Sequence, residues 1–379
     1  MTELFARQDK ILSALHTRGR YRSLMPRAGY DFASNDYLGL AESDALREAA
    51  ASAIARGVPV GAGGSRLLRG NADEHVALEN EAAAFFGTDA ALFMGGGFNA
   101  NLALFSTLPL QGDLVLYDAL IHASTHDGMR LGRADVRSFA HNDANDAAAQ
   151  IAQWRAEGGT GQIWIAVEAV YSMDGDIAPL GHLNALALHH EACLIIDEAH
   201  ATGVFGPNGR GVAHQIAAQS HVLSLHTCGK ALGVSGALIC GHRLLIDMLV
   251  NKARAFIYAT APSPLNAALV RAVLRLLKDT PGLQRRAYET VQHAQTEAAR
   301  LCGLKSYETQ ILPVVLGEDK SALAVAAKMQ ERGYDIRPIR PPTVPRGTAR
   351  LRLSITPNVS QDVITQMFTD LAYEMEQRT

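Results

Sequence analysis

Leu194-Ile195-Ile196-Asp197-Glu198-Ala199-His200 is an apolar run that stops abruptly on an acid, with a histidine three residues further on. Leu225-His226-Thr227-Cys228-Gly229-Lys230-Ala231-Leu232-Gly233 comes next in the argument. There an apolar stretch, residues 222–225, gives way to a small Thr-Cys-Gly turn that presents one lysine. Both runs read as strands with polar ends. In an open α/β sheet the chemistry sits at the carboxyl ends of the strands. The two runs therefore deliver an acid, a histidine and a lysine to one edge. Those are the parts that hold pyridoxal phosphate. The lysine forms the Schiff base, and the acid keeps the pyridine nitrogen protonated, so that the ring acts as an electron sink.

The pattern around these runs alternates. Short apolar runs occupy 90–94, 114–117, 163–170, 192–196, 222–225 and 237–240, and helical segments such as 97–107, 144–157 and 180–191 lie between several of them. Continuous apolar strands separated by helices argue for a mostly parallel sheet covered on both faces. Upstream, residues 3–18 read as an amphipathic helix, 29–40 as a strand and polar turn, and 46–56 as an alanine-rich helix. A glycine loop at 57–70 and a helix at 74–86 follow. Downstream, 263–301 reads as one long helical stretch bridging to the next domain. Strand and helix then alternate afresh over 311–316, 322–332, 349–355 and 361–375. The expected class is α/β, with a mostly parallel large domain and a small α+β C-terminal domain. The expected ranges are an N-terminal segment 1–45, a large domain 46–285 and a small domain 286–379.

The bulk numbers agree. A chain of 379 residues exceeds what one hydrophobic core normally supports. Hydrophobic and charged contents of 48% and 19% describe a folded protein. A net charge of −3 gives no reason to expect nucleic acid or an anionic membrane as partner. The four cysteines lack paired spacing, so a reduced, cytoplasmic protein without disulfides is expected. No apolar run approaches the ~20 residues of a membrane span. The first ten residues carry acids and no apolar signal-peptide core.

Each candidate has a bland alternative. A random lysine is a surface lysine, but Lys230 has small residues on both sides that allow a flat ring and its phosphate to approach. Asp197 could merely end a strand, and His200 alone would be structural. Met94-Gly95-Gly96-Gly97-Phe98-Asn99-Ala100-Asn101 joins a strand to a helix, and a glycine turn opening a helix favours a phosphate. It lacks the dinucleotide-binding glycine spacing. Gly61-Ala62-Gly63-Gly64-Ser65-Arg66 is a second glycine loop, equally a plain loop or a substrate or partner-subunit contact. His122 follows an apolar strand, where an imidazole could stack on a ring. His189, His190 and Cys193 match no strong zinc spacing and read as a helix end, so no metal is expected. Arg350 and Arg352 share one face of a strand. They form either a fork for a carboxylate or two exposed arginines.

Taken together, these residues resemble the α-oxoamine synthases, a branch of the fold-type I pyridoxal-phosphate enzymes. The marks run from Asp31 to Ser354. They are Ser34-Asn35-Asp36-Tyr37-Leu38-Gly39-Leu40, the 61–71 loop, Ser138-Phe139-Ala140-His141-Asn142-Asp143, Val170-Tyr171-Ser172-Met173-Asp174-Gly175-Asp176, the 197–203 and 227–236 runs, and the 339–345 and 347–353 runs. The last two favour the branch that joins L-alanine to a pimeloyl thioester in biotin synthesis.

The resemblance implies Lys230 as the Schiff-base lysine and Asp197 as the partner of the pyridine nitrogen. His122 would stack on the ring, and His200, with Ser172, would meet its phenolic oxygen. Gly97, Phe98 and Thr227 would hold the phosphate, with Thr260 supplied by a second subunit of a homodimer. Glu168 and Asn35 would line the site. Arg352 would bind the amino-acid carboxylate, and Arg340 would lie near the acyl substrate. The segment before Asp31 is shorter than the family's, and Arg20 or Arg22 would fill the place of its arginine at the acyl site. The partners implied are an amino acid and an acyl thioester of CoA or acyl carrier protein. Sister reactions on glycine or serine, a longer acyl chain, and a catalytically silent ligand-binding relative are the alternatives.

Overall fold

The computed structural model describes residues 3–304 and 307–377. Residues 1 and 2 of the expected N-terminal segment, and 305, 306, 378 and 379 of the expected small domain, lie outside the described residues. Helix α1 (Ala6–Thr17), strand β1 (Tyr30–Asp31), α2 (Asp44–Ala55) and α3 (Asp73–Phe86) come first. The alternating region follows: β2 (Ala90–Met94), α4 (Gly97–Thr107), β3 (Leu114–Asp118), α5 (Ala123–Leu131), β4 (Asp135–Phe139), α6 (Ala144–Ala156), β5 (Ile163–Glu168), α7 (Leu180–His189), β6 (Cys193–Asp197), β7 (Val222–Thr227) and β8 (Ala237–Gly241).

Strands β2 to β8 form one sheet in the order β2-β8-β7-β6-β5-β3-β4. Pairing is parallel from β7 through β4, and β8 runs antiparallel to both β2 and β7. The tight link between β7 and β8 explains the reversal. Cys228 N donates to Gly236 O at 2.8 Å and Val234 N to Cys228 O at 2.9 Å, which folds the Lys230 segment back on itself. Gly236 has φ +119°, and a Cβ there would stand 2.4 Å from the Phe93 ring, so only glycine closes this link.

Strands β2, β5, β7 and β8 are buried along their whole length, as expected of a sheet covered on both faces. Strand β4 is different. It lies at the sheet edge and is largely exposed, so its sequence carries no apolar run and sequence reading passes over it. The helix α5 is missed for a different reason: its buried face is built from Ser124, Thr125 and Gly128, with Met129 the one large apolar side chain there.

Helices α8 (Arg243–Lys252), α9 (Arg254–Ile257), α10 (Pro264–Asp279) and α11 (Gly282–Cys302) lead to β9 (Ile311–Gly317), α12 (Asp319–Glu331), β10 (Tyr334–Asp335), β11 (Pro338–Ile339), β12 (Ala349–Ser354) and α13 (Gln361–Glu376). The stretch 263–301 is thus two helices rather than one. Pro281 lacks the N–H needed to continue α10 and instead precedes α11. Strands β11, β12 and β9 form a small antiparallel sheet. The strand expected at the start of 29–40 is two residues long and pairs with β10, and the polar turn expected after it is present. Carboxylates explain the rest. Asp31 accepts from Ala33 N and Ser34 N, and Asp36 from Leu40 N, which bends the chain into turns.

Helix α11 serves two cores. Ala287 packs with the large-sheet core. Val291, Ala294 and Ala298 pack with Phe32 and the apolar faces of β9, β12, α12 and α13. Among the described residues no helix is long and apolar enough to cross a membrane.

Candidate active site

Strands β5, β6 and β7 end side by side, with Glu168 in register with Asp197 and Asp197 with Leu225. Asp197 is buried. Its Oδ1 accepts from Ala199 N at 3.0 Å and its Oδ2 from Asn101 Nδ2 at 2.9 Å. The second hydrogen of Asn101 Nδ2 goes to Ser124 Oγ at 2.9 Å. Ser124 in turn donates to His122 Nδ1 from its hydroxyl at 2.8 Å and its N–H at 3.2 Å. His122 Nδ1 therefore holds a lone pair, and the ring's proton sits on Nε2. Burial lowers its affinity for a second proton, Asp197 opposes that, and Lys230 adds to it.

Lys230 starts a second chain of bonds. Its Nζ donates to His200 Nε2 at 2.8 Å. His200 Nδ1 lies 2.6 Å from Tyr37 Oη, and Tyr37 Oη donates to Asn35 Oδ1 at 2.9 Å. Arg352 Nη2 donates to the same Tyr37 oxygen at 3.2 Å. Every donor finds an acceptor when His200 carries its proton on Nδ1 and stays neutral. Burial, then the charges of Lys230, Arg352 and His122, hold His200 well below the usual histidine range. Burial also lowers the Lys230 amine, against the pull of Asp197 and Glu168. A lysine that releases its proton readily is suited to act as nucleophile and base.

Arg352 and Arg350 are 7% and 4% exposed, so the alternative of two exposed strand arginines is excluded. Both side chains reach the 171–176 turn. Arg352 Nε donates to Ser172 O at 2.5 Å and its Nη1 to Ser354 Oγ at 2.7 Å. With Nη2 on Tyr37, three of the five guanidinium donors are used, which leaves one hydrogen on each Nη. Arg350 Nη1 donates to Met173 O and to Asp174 Oδ1, at 3.1 and 2.5 Å. With its Nε on Thr348 O, it ties the small sheet to the 171–176 turn. Ser172 N donates to Glu168 Oε2 at 3.1 Å. Burial, then the charge of Asp197, push the Glu168 carboxyl well above the usual carboxylate range. Its buried Oε1 has no partner among the described residues.

Gly97 and Thr227 meet at the start of α4. A Cβ on Gly97 would stand 3.5 Å from Thr227 Oγ1. No side chain caps α4, and the space around Gly96 is open. Phe98, beside it, is half exposed. Uncapped first-turn N–H groups beside a hydroxyl suit a phosphate.

Other expected residues stand apart. Arg20, Arg22 and Arg340 line a cleft of about 580 Å³ between the end of α1 and the 338–343 segment, together with Arg18, Leu12 and Tyr21. Arg340 donates to Gly19 O and Arg20 to Asp319, which ties the N-terminal segment to the small sheet. Lys230 and Asp197 are not among the residues lining this cleft. Thr260 is exposed after α9, where Ala261 N bonds Gly64 O of the glycine loop. It makes none of the described bonds to the Lys230 group. Sequence reading passes over Asn101 and Ser124 as site residues, and over Tyr37 as the hub. Asn101 lies four residues after Gly97, one helical turn into the site, and that spacing was the available signal.

The residues present fit pyridoxal phosphate. An amine, a buried anion, an uncapped helix start and an unpartnered carboxyl oxygen converge on one edge. Solved structures assign the class, since the chain has the fold of type I pyridoxal-phosphate transferases. A serine palmitoyltransferase variant from S. paucimobilis, solved with pyridoxal phosphate joined to myriocin, matches with a TM-score of 0.86 at 25% identity, over 99% of this chain and 98% of that one. The 8-amino-7-oxononanoate synthase of Francisella tularensis matches with a TM-score of 0.75 at 29% identity, over 92% and 98%. The chain belongs to the aminotransferase class I and II family, whose sequence model matches residues 28–371. It is 41% identical over 360 residues to the 8-amino-7-oxononanoate synthase of Anaeromyxobacter dehalogenans, covering 91% of this chain and 89% of that protein. The protein is a pyridoxal-phosphate-dependent acyltransferase.

Proposed function

We propose that this enzyme condenses L-alanine with a pimeloyl thioester, of CoA or a carrier protein, to 8-amino-7-oxononanoate, carbon dioxide and free thiol in biotin biosynthesis. The observation that carries the substrate choice is the 41% identity to an 8-amino-7-oxononanoate synthase over nearly the whole chain, against 25% to the serine palmitoyltransferase.

Pyridoxal phosphate, when bound, supplies an electron sink for a carbanion at the amino-acid α-carbon. Lys230 would hold the cofactor, and its amine is suited to take the α-proton of alanine. Its lowered proton affinity favours both tasks. Asp197, fixed by Asn101, would keep a proton on the pyridine nitrogen. His122 would pack on the ring, and His200 and Ser172 would meet its phenolic oxygen. Gly97, Phe98 and Thr227 would hold the phosphate, with Thr260 supplied by a second subunit. The two free Nη hydrogens of Arg352, with Asn35 nearby, receive the alanine carboxylate. Arg20, Arg22 and Arg340 face the acyl donor from the 580 Å³ cleft.

The reading includes a cytoplasmic homodimer. The glycine loop and the α9 turn pack together and expose Leu67, Leu68 and Tyr258, an apolar surface suited to a second copy.

Thiol release tests the proposal. Purified protein with pyridoxal phosphate is given alanine and pimeloyl-CoA, glycine and acetyl-CoA, or serine and palmitoyl-CoA. Release with the first pair alone, lost in Lys230→Ala, is the expected result. A clear preference for another pair overturns the substrate choice.

A further inference from the structure

Both ring nitrogens of His141 face carboxylates. Nδ1 lies 2.9 Å from Asp118 Oδ1, and Nε2 lies 2.7 Å from Asp176 Oδ2. A neutral imidazole has one N–H and would leave one of these contacts as a lone pair against an anion. The ring therefore carries both protons. Burial resists the charge, but the bonds to Asp118 and then Asp176 override it and push the group up to about 10. The phenol of Tyr171 is the other titratable neighbour, with its ring edge-on to His141 at 4.4 Å between centroids.

Asn142 doubles the link. Its N–H donates to Asp118 Oδ2 at 2.8 Å and its Nδ2 to Asp176 Oδ2 at 2.6 Å. It adopts φ +55° to do so, a left-handed conformation that asparagine tolerates. The end of β3, the loop after β4 and the 171–176 turn are thus joined through one cation. The turn closes on itself through Tyr171 N to Asp176 O and Gly175 N to Tyr171 O, at 3.0 and 2.9 Å. Its other side takes Arg352 at Ser172 O and Arg350 at Met173 O and Asp174. A cation of the large sheet grips the turn from one side, and two arginines of the small sheet grip it from the other.

We propose that His141 is a positioning residue: it fixes the 171–176 turn, and through the Ser172 carbonyl it aims the Arg352 guanidinium at the carboxylate of the amino-acid substrate. This rests on the reading of Arg352 given above. His141 makes none of the described bonds to Lys230, Asp197 or Arg352, so its signature is selective weakening of one substrate.

The test compares wild type, His141→Asn and His141→Arg as holoenzymes. Alanine binding is followed by the change in cofactor absorbance, and steady-state kinetics are measured alongside. In His141→Asn, alanine affinity falls and its KM rises about tenfold, the scale of one charge-assisted hydrogen bond. The kcat stays within about threefold, and the thioester KM and cofactor affinity stay within about twofold, on the same scale of free energy. His141→Arg, which restores a cation with several donors, recovers part of the alanine affinity. Unchanged alanine binding in His141→Asn, or a joint loss of alanine, thioester and cofactor affinity, overturns the proposal. Failure of wild type itself to bind alanine would instead overturn the functional reading. Nitrogen NMR of the wild-type ring gives an independent readout. At about pH 8, above the ordinary histidine range, both nitrogens are protonated, and a neutral tautomer there also overturns the proposal.

Discussion

His200 and His141 each have both ring nitrogens hydrogen-bonded, yet one is neutral and the other charged. His200 meets an amine and a phenol, sits among the cations Lys230 and Arg352, and is neutral. His141 meets two carboxylates and is an imidazolium. Burial alone would deprotonate both, because it penalises the charged form. The sign of the partners decides. The site thus keeps a neutral imidazole where a proton must move and a fixed cation where a turn must stay still.

The largest break in this contrast is Lys230→Ala. Turnover is abolished, measured as thiol release, while His200 stays neutral by NMR because burial still dominates its environment. A charged His200 in that variant would show that the lysine, not burial, sets its state. Arg352→Ala comes next. Losing a buried charge-assisted partner of roughly 1.5–3 kcal/mol raises the alanine KM on the order of 10- to 100-fold, and the thioester KM follows much less. Tyr37→Phe removes the oxygen that accepts from His200 Nδ1 and Arg352 Nη2. The stranded donors cost about 1–3 kcal/mol of stability, read by thermal unfolding of the holoenzyme.

The His141 side is broken by pH. Its folded proton affinity is raised to about 10 from an ordinary 6.5, so its stabilising contribution is fully present below 6.5 and lost as the pH climbs through 10. Denaturant midpoints therefore show wild type losing its advantage over His141→Asn between those values, and a growing advantage would refute the imidazolium. The smallest effect is expected at the α6 cap, two residues after His141. Asp143 caps α6 by accepting from Asn145 N and Asp146 N, at 2.9 and 3.1 Å. Asp143→Ala costs about 1 kcal/mol of stability and leaves both substrate KM values unchanged.

Much of the large sheet was legible because its inner strands are buried on both faces and must be apolar throughout. Asp197, His200 and Lys230 stood out because each interrupts or follows such a run. Strand β4 was illegible because its exposed edge position places no apolar demand on it, and helix α5 because its buried face is made mostly of small and polar residues. The hub at Tyr37 was hidden for another reason. Asn35 is local, two residues before it, but His200 and Arg352 come from distant parts of the chain, and no local spacing encodes their meeting. The His141 triad is the same case. The run that contains it was visible as a family mark, but its two carboxylate partners became apparent only in three dimensions.

Helix α11 has a mechanical consequence. One continuous rod enters the first core at Ala287 and the second from Val291 onward. A cut on either side of that short interval strips one half of part of its core and leaves the other half with an orphaned apolar stripe. The two lobes are therefore poor candidates for separate expression, circular permutation within α11 or exchange as modules. Melting of one lobe is transmitted along the rod to the other.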